Sequence, residues 1–168
     1  MIDKYNNTKD LYFTKKVRYN IKNNKLLREA AGDNDIVSGF PVRQIIIWKR
    51  AGGFNFNAGY FLPTYEVIYL IAKSNFKLVS KANALGDIWE ISQEMKNGHP
   101  APFPVKLIDR IISSTNAKII LDPFMGSGTT AISAINFNRN YIGIDISPDY
   151  CESAEKRIKQ HQSQSKLL

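Results

Sequence analysis

Apolar and polar positions divide this chain into strand-sized runs and amphipathic segments. Val42 to Lys49 contains Ile45-Ile46-Ile47-Trp48, a continuous apolar run that predicts a buried strand. The β-branched and aromatic stretch from Thr64 to Ala72 predicts a second strand, and Phe76-Lys77-Leu78-Val79 a short third one. Ile88 to Ile91 reads as a brief extended piece. Leu107, Ile108, Ile111 and Ile112 then form one apolar stripe of a helix, with Pro104 in its first turn and Lys106, Asp109 and Arg110 facing water.

The most informative pattern is Lys118-Ile119-Ile120-Leu121-Asp122-Pro123-Phe124-Met125-Gly126-Ser127-Gly128-Thr129-Thr130-Ala131. An apolar run stops at Asp-Pro, passes through Gly-x-Gly and enters a helical segment that continues to Phe137. Tyr141 to Asp145 is the next strand. Ser147-Pro148-Asp149 starts the last helix, with an N-cap serine, a proline at the first position and an acid at the positive dipole end. Tyr150, Ala154 and Ile158 mark its buried face, and the polar residues from Lys159 onward are expected to fray. Alternating strands and helices argue for an α/β domain with a mainly parallel sheet.

A strand, a glycine loop and a helix start form the usual site for a nucleotide-shaped ligand. Asp145, at the end of the following strand, is placed to accept hydrogen bonds from ribose hydroxyls. Gly126-x-Gly128-x-x-Ala131 formally fits a dinucleotide fingerprint, so an NAD-type enzyme stays open. Two features argue against it. The Asp122 carboxylate would repel a pyrophosphate and suits a ligand with an ammonium group. Only 23 residues follow Asp145, so most of the sheet must precede the loop, whereas a dinucleotide domain begins with it. No lysine follows Gly128, so the loop is not a P-loop. S-adenosylmethionine, which carries an ammonium and a sulfonium but no phosphate, fits better.

Composition narrows the picture modestly. The 168 residues suffice for one domain with a real core. No apolar run approaches the ~20 residues that span a bilayer, and Met1 to Asn6 has no signal-peptide character. The single cysteine, Cys151, fits a reducing cytoplasm and makes a metal or catalytic role for it unexpected. The net charge of +8 fits a nucleic-acid partner and fits plain solubility about equally. Three units are expected: a basic, poorly defined segment over 1–40, the main domain over 41–160, and a polar tail over 161–168.

At the glycine loop the chain resembles the permuted, β-class amino-methyltransferases of DNA. Asp122-Pro123-Phe124-Met125-Gly126-Ser127-Gly128-Thr129-Thr130 is similar to their cofactor motif, His99-Pro100-Ala101-Pro102-Phe103-Pro104 to the segment packing on the cofactor's methionine end, and Tyr141 to Asp145 to the strand ending in the ribose acid. Ile45 to Lys49 and Phe61 to Glu66 resemble the strands and loop around the target-base pocket. The resemblance implies a Rossmann-like S-adenosylmethionine-dependent methyltransferase fold, DNA as partner, and DNA methylation of the restriction–modification kind at N6 of adenine or N4 of cytosine. It implies Asp122, Phe124, Gly126, Gly128, Asp145, Pro102 and Phe103 as cofactor-binding residues. His99 is a weak catalytic candidate. Thr129 and Thr130 serve equally as helix N-caps or ligand groups, and His161 is expected to be solvated. Phe54, Phe56, Tyr60 and Phe61 suggest base stacking or packing under a loop, and Lys49, Arg50, Lys73, Lys77 and Lys81 phosphate contacts or a solvated face.

The departure from the family pattern is as informative. Its Asp/Ser/Asn-Pro-Pro-aromatic motif, which holds the extruded base, occurs nowhere in the sequence. The chain therefore reads as the C-terminal portion of such an enzyme: a truncated product, a degenerate non-catalytic remnant, or one half of a split enzyme whose second chain supplies the motif. No catalytic residue is assigned.

Overall fold

The computed structural model describes residues 42–50, 59–62, 64–93 and 103–165. Among the described residues five strands and three α-helices follow in order: β1 (Val42–Lys49), β2 (Tyr65–Ile71), β3 (Ile88–Glu90), α1 (Val105–Ser113), β4 (Ile119–Asp122), α2 (Thr129–Asn136), β5 (Asn140–Gly143) and α3 (Pro148–Ser165). They build two sheets. In the first, β1 is central, antiparallel to β2 and parallel to β3; in the second, β4 and β5 are parallel. Two of the three pairings are thus parallel, as the alternating pattern predicts.

β1 is buried on one face only. Ile46 and Trp48 are in the core, while Ile45, on the opposite face, is half exposed. The Trp48 indole donates to the Ile91 carbonyl at 2.8 Å, which satisfies its only polar group inside an apolar cluster. That cluster joins Ile46, Trp48, Ile68, Trp89, Ile91 and Leu107.

The expected strand at Phe76–Val79 does not form. Arg43 donates to the carbonyls of Lys73, Ser74 and Phe76, so these acceptors are held by a guanidinium rather than by a neighbouring strand. The Phe76 amide closes a turn on Lys73, and the chain goes on to a short 3-10 turn at Ala82–Ala84.

α1 joins the two sheets. Leu107 belongs to the first cluster, whereas Ile108 and Ile112 pack with Ala134, Ile120 and Tyr141 of the second half. Phe103 and Ile111 touch both clusters. Pro104 is the N-cap, one position before the predicted first turn. Two of the charges expected to face water have partners: Asp109 accepts from the Ser133 hydroxyl, and the Arg110 guanidinium lies 5.4 Å from the Trp89 ring centroid. Asn138, with φ 53°, turns the chain out of α2 into β5. α3 continues through the polar residues expected to fray and ends at Ser165; His161, expected to be solvated, hydrogen-bonds Asn136 at 2.7 Å.

Ile112, almost fully buried at the junction, tests this arrangement. Replacing it with alanine is expected to cost roughly 2–5 kcal/mol in urea unfolding. Ile88→Ala, at a 63% exposed position, is expected to stay within about 1 kcal/mol of the parent.

Candidate functional site

β4 ends at Asp122, the chain turns through 123–128, and α2 begins at Thr129. β5 ends beside β4, and Asp145 follows two residues later. Both carboxylates therefore stand at the same end of a parallel pair, where ligands of open α/β sheets bind.

Each carboxylate is fixed by the loop it serves. Asp122 accepts from the Phe124 amide through Oδ1 at 3.0 Å and from the Thr130 hydroxyl through Oδ2 at 2.6 Å. Asp145 accepts from the Gly126 amide through Oδ2 and from the Ser147 amide through Oδ1, both at 2.9 Å. An ionised carboxylate has about four acceptor sites, so each acid keeps capacity for a ligand donor. The Met125 amide donates to the Ile144 carbonyl and the Gly128 amide to the Met125 carbonyl. A phosphate entering this loop would meet amides already committed and two negative charges. This geometry argues against a pyrophosphate ligand on grounds independent of motif spacing.

Gly126 and Gly128 adopt φ of 51° and 80°, in the left-handed region. Space constrains Gly128 further. A Cβ there would lie 3.2 Å from the Ala154 Cβ and 3.4 Å from the Ile158 Cδ1, so what approaches this glycine is α3. Ala154 and Ile158 are buried as the four-residue spacing predicts, whereas Tyr150 is 39% exposed.

The remaining predicted residues fall on both sides of this centre. The Phe124 ring is 85% exposed beside the loop, a placement suited to a ligand contact rather than to the core. Phe103 instead packs into the α1 clusters, although Val105, two residues on, reaches the Ala131–Ile132–Ile158 cluster beside Met125. Pro102 and His99 lie outside the described residues, as do Phe54 and Phe56. Tyr60 and Phe61 are exposed. Of the basic residues considered for phosphate contacts, Lys49 pairs with Glu90 at 2.6 Å and Arg50 with the buried Glu66 at 3.3 Å. Lys73, Lys77 and Lys81 are exposed.

Neither threonine is the N-cap of α2; that position is Gly128. Both side chains are buried, and Thr130 instead holds Asp122. Arg157 is the residue that the sequence reading missed. It donates to the Ser127 carbonyl, the Ser127 hydroxyl and the Thr129 hydroxyl, at 3.0–3.3 Å. Its signal was its place three residues after Ala154 on the buried side of α3. Among the described residues no cluster of His, Cys, Asp or Glu could hold a metal, and no helix is long and apolar enough to cross a membrane.

Gly128→Ala is expected to destabilise the protein by about 1–2 kcal/mol or more in urea unfolding, from left-handed strain and the contact with Ala154. Gly86→Ala, where a Cβ meets nothing within 4 Å, is expected to be near neutral.

Comparison with known proteins agrees with this geometry. A family model described as DNA methylase matches residues 4–156. Type II methyltransferase M2.MboI of Moraxella bovis is 36% identical over 141 residues, covering 73% of this chain and 52% of the relative. Type II methyltransferase M2.DpnII of Streptococcus pneumoniae is 32% identical over 140 residues, with 72% and 52% covered. The crystal structure of an M1.HpyAVI–SAM complex superposes with a TM-score of 0.68 at 27% identity, covering 90% of this chain and 76% of that one. The chain spans about half the length of the curated relatives it matches. It belongs to the N6/N4 DNA methylase family and has the α/β fold of S-adenosylmethionine-dependent methyltransferases.

Proposed function

We propose that this chain is the cofactor-binding portion of a cytoplasmic DNA amino-methyltransferase that takes S-adenosylmethionine as methyl donor and modifies N6 of adenine or N4 of cytosine. The observation that carries the reading is the pair of carboxylates on the glycine loop with the exposed Phe124 ring beside them.

The residues fit the donor's chemistry. Asp122 offers a negative charge and spare acceptor sites to an ammonium group, Asp145 offers acceptor sites to ribose hydroxyls, and Phe124 offers an aromatic face to adenine. Gly126 and Gly128 set the turn that places both acids; Pro102 and Phe103 are candidates for the methionine end through the family resemblance alone. When bound, the donor would supply a sulfonium methyl group for transfer to an exocyclic amino nitrogen. The chain's own residues bind and orient; the base clamp of the Asp/Ser/Asn-Pro-Pro-aromatic type is absent from the sequence. The net charge of +8 supports DNA as the polyanionic partner.

Calorimetric titration tests this reading. S-adenosylmethionine is expected to bind and NAD not to. Phe124→Ala is expected to weaken the donor by about tenfold or more, the scale of one lost stacking contact, without changing stability, because its ring is solvent-exposed. Equal binding of NAD would sink the proposal. Incubation of the isolated chain with labelled donor and mixed-sequence DNA is expected to give no incorporation, and robust incorporation would refute the split between donor site and base clamp.

A further inference from the structure

The loop between β4 and α2 is held from three directions. Asp122 fixes its entry through the Phe124 amide, and Asp145 fixes its middle through the Gly126 amide. The third hold comes from α3. Nη1 of Arg157 donates to the Ser127 carbonyl at 3.1 Å, to the Ser127 hydroxyl at 3.3 Å and to the Thr129 hydroxyl at 3.0 Å.

Ser127 needs such a hold. It lies between Gly126 and Gly128, both at positive φ. Glycine populates positive and negative φ about equally readily, so the peptide units on either side of Ser127 have little intrinsic preference for one orientation. The Ser127–Gly128 unit is pinned at both ends: its carbonyl accepts from Arg157, and its N–H, that of Gly128, donates to the Met125 carbonyl at 3.0 Å. The unit before it is not. Among the described residues, the Ser127 amide is the one N–H from 124 to 128 with no protein acceptor. Its orientation is set by its neighbours, with Asp145 acting on one side and Arg157 on the other.

Helix packing does not account for the arginine. Ala154 and Ile158 already seat α3 against Gly128, and Ile158 packs with Ala131 and Ile132. The three bonds from Nη1 add no apolar contact; they fall on the loop and on the first residue of α2.

We propose that Arg157 is a positioning residue for the methyl donor: it locks the Ser127–Gly128 peptide and so keeps the glycine loop in the conformation that presents Phe124 and both carboxylates to the ligand. The inference rests on the reading of this loop as the donor site, and Arg157 acts through the loop rather than on the ligand. Its charge and its positioning role have opposite signs. S-adenosylmethionine carries an ammonium, a sulfonium and a carboxylate, a net positive charge. Removing a cation beside the site would by Coulomb's law tighten its binding, whereas releasing the loop weakens it.

The test is calorimetric titration of the full 168-residue chain with S-adenosylmethionine, together with nitrogen-15 amide spectra of the ligand-free chain. Arg157→Met keeps an apolar stem and removes the donors. It is expected to bind the donor about tenfold more weakly, the scale of one hydrogen bond to a charged group, and to broaden or split the resonances of Gly126, Ser127 and Gly128. Arg157→Lys, with the charge on a shorter stem, is expected to lie between parent and Arg157→Met. Lys159→Met removes the same charge from a 77% exposed side chain of the same helix and is expected to change neither readout. Urea unfolding identifies the variants that are folded. Unchanged or tighter donor binding by Arg157→Met, or loop resonances that match the parent's, overturns the proposal; so does equal binding by parent and Arg157→Lys where Arg157→Met does not fold. A parent that binds no S-adenosylmethionine refutes the donor reading and this inference with it. A parent that binds, beside an Arg157→Met that binds equally well, refutes this inference alone.

Discussion

The Asp145 carboxylate is the constraint on which the site depends. One oxygen holds the Gly126 amide and the other the Ser147 amide. A single side chain therefore fixes the glycine loop after β4 and the start of α3 after β5. Charge-assisted bonds of this kind are among the stronger ones available to a loop. Asp122 repeats the device on the other side, tying Phe124 and Thr130 to the end of β4. The loop is thus wired to its own acids before any ligand arrives. The same wiring selects the ligand, because donors already given to carboxylates are unavailable to phosphate while unused lone pairs remain for cationic or hydroxyl donors.

The central motif was legible in sequence because local signals agreed with one another. Asp-Pro after an apolar run, two glycines, a helix start and an acid at the next strand end all point to one geometry, and the described loop has it. Failures occurred where long-range contacts override local pattern. Phe76–Val79 has strand composition, yet Arg43, more than thirty residues away, captures carbonyls around it. Three isoleucines in a row suggest a fully buried strand, yet burial is decided by what covers each face, and only one face of β1 is covered. Charged side chains were assigned to water by default. Asp109 and Arg110 instead satisfy partners brought near by packing, which no spacing rule reports.

Gly128 shows how one residue type can serve two ends. Its positive φ admits the turn that places Asp122 and Phe124, and its missing side chain admits Ala154 and Ile158 of α3. The close approach of α3 then lets Arg157 reach Ser127 and Thr129. Backbone conformation, helix packing and loop position are coupled through this position. A substitution that spared the ligand contacts would still move the loop, by displacing the helix that braces it.

Among the described residues the helices lie on one side of the β4–β5 pair. α1 fastens both sheets from the covered side through Leu107 on one hand and Ile108 and Ile112 on the other. That fastening leaves the opposite faces of both sheets exposed, with isoleucines at Ile45, Ile88, Ile119, Ile142 and Ile144. Exposed apolar area of this kind is unfavourable in water, at about 25 cal/mol per Å² left uncovered. The glycine loop lies at the strand ends, on the rim of the exposed face, where Phe124 and Ile146 stand 85% and 100% exposed. A layer laid on that face would border the glycine loop and its two carboxylates.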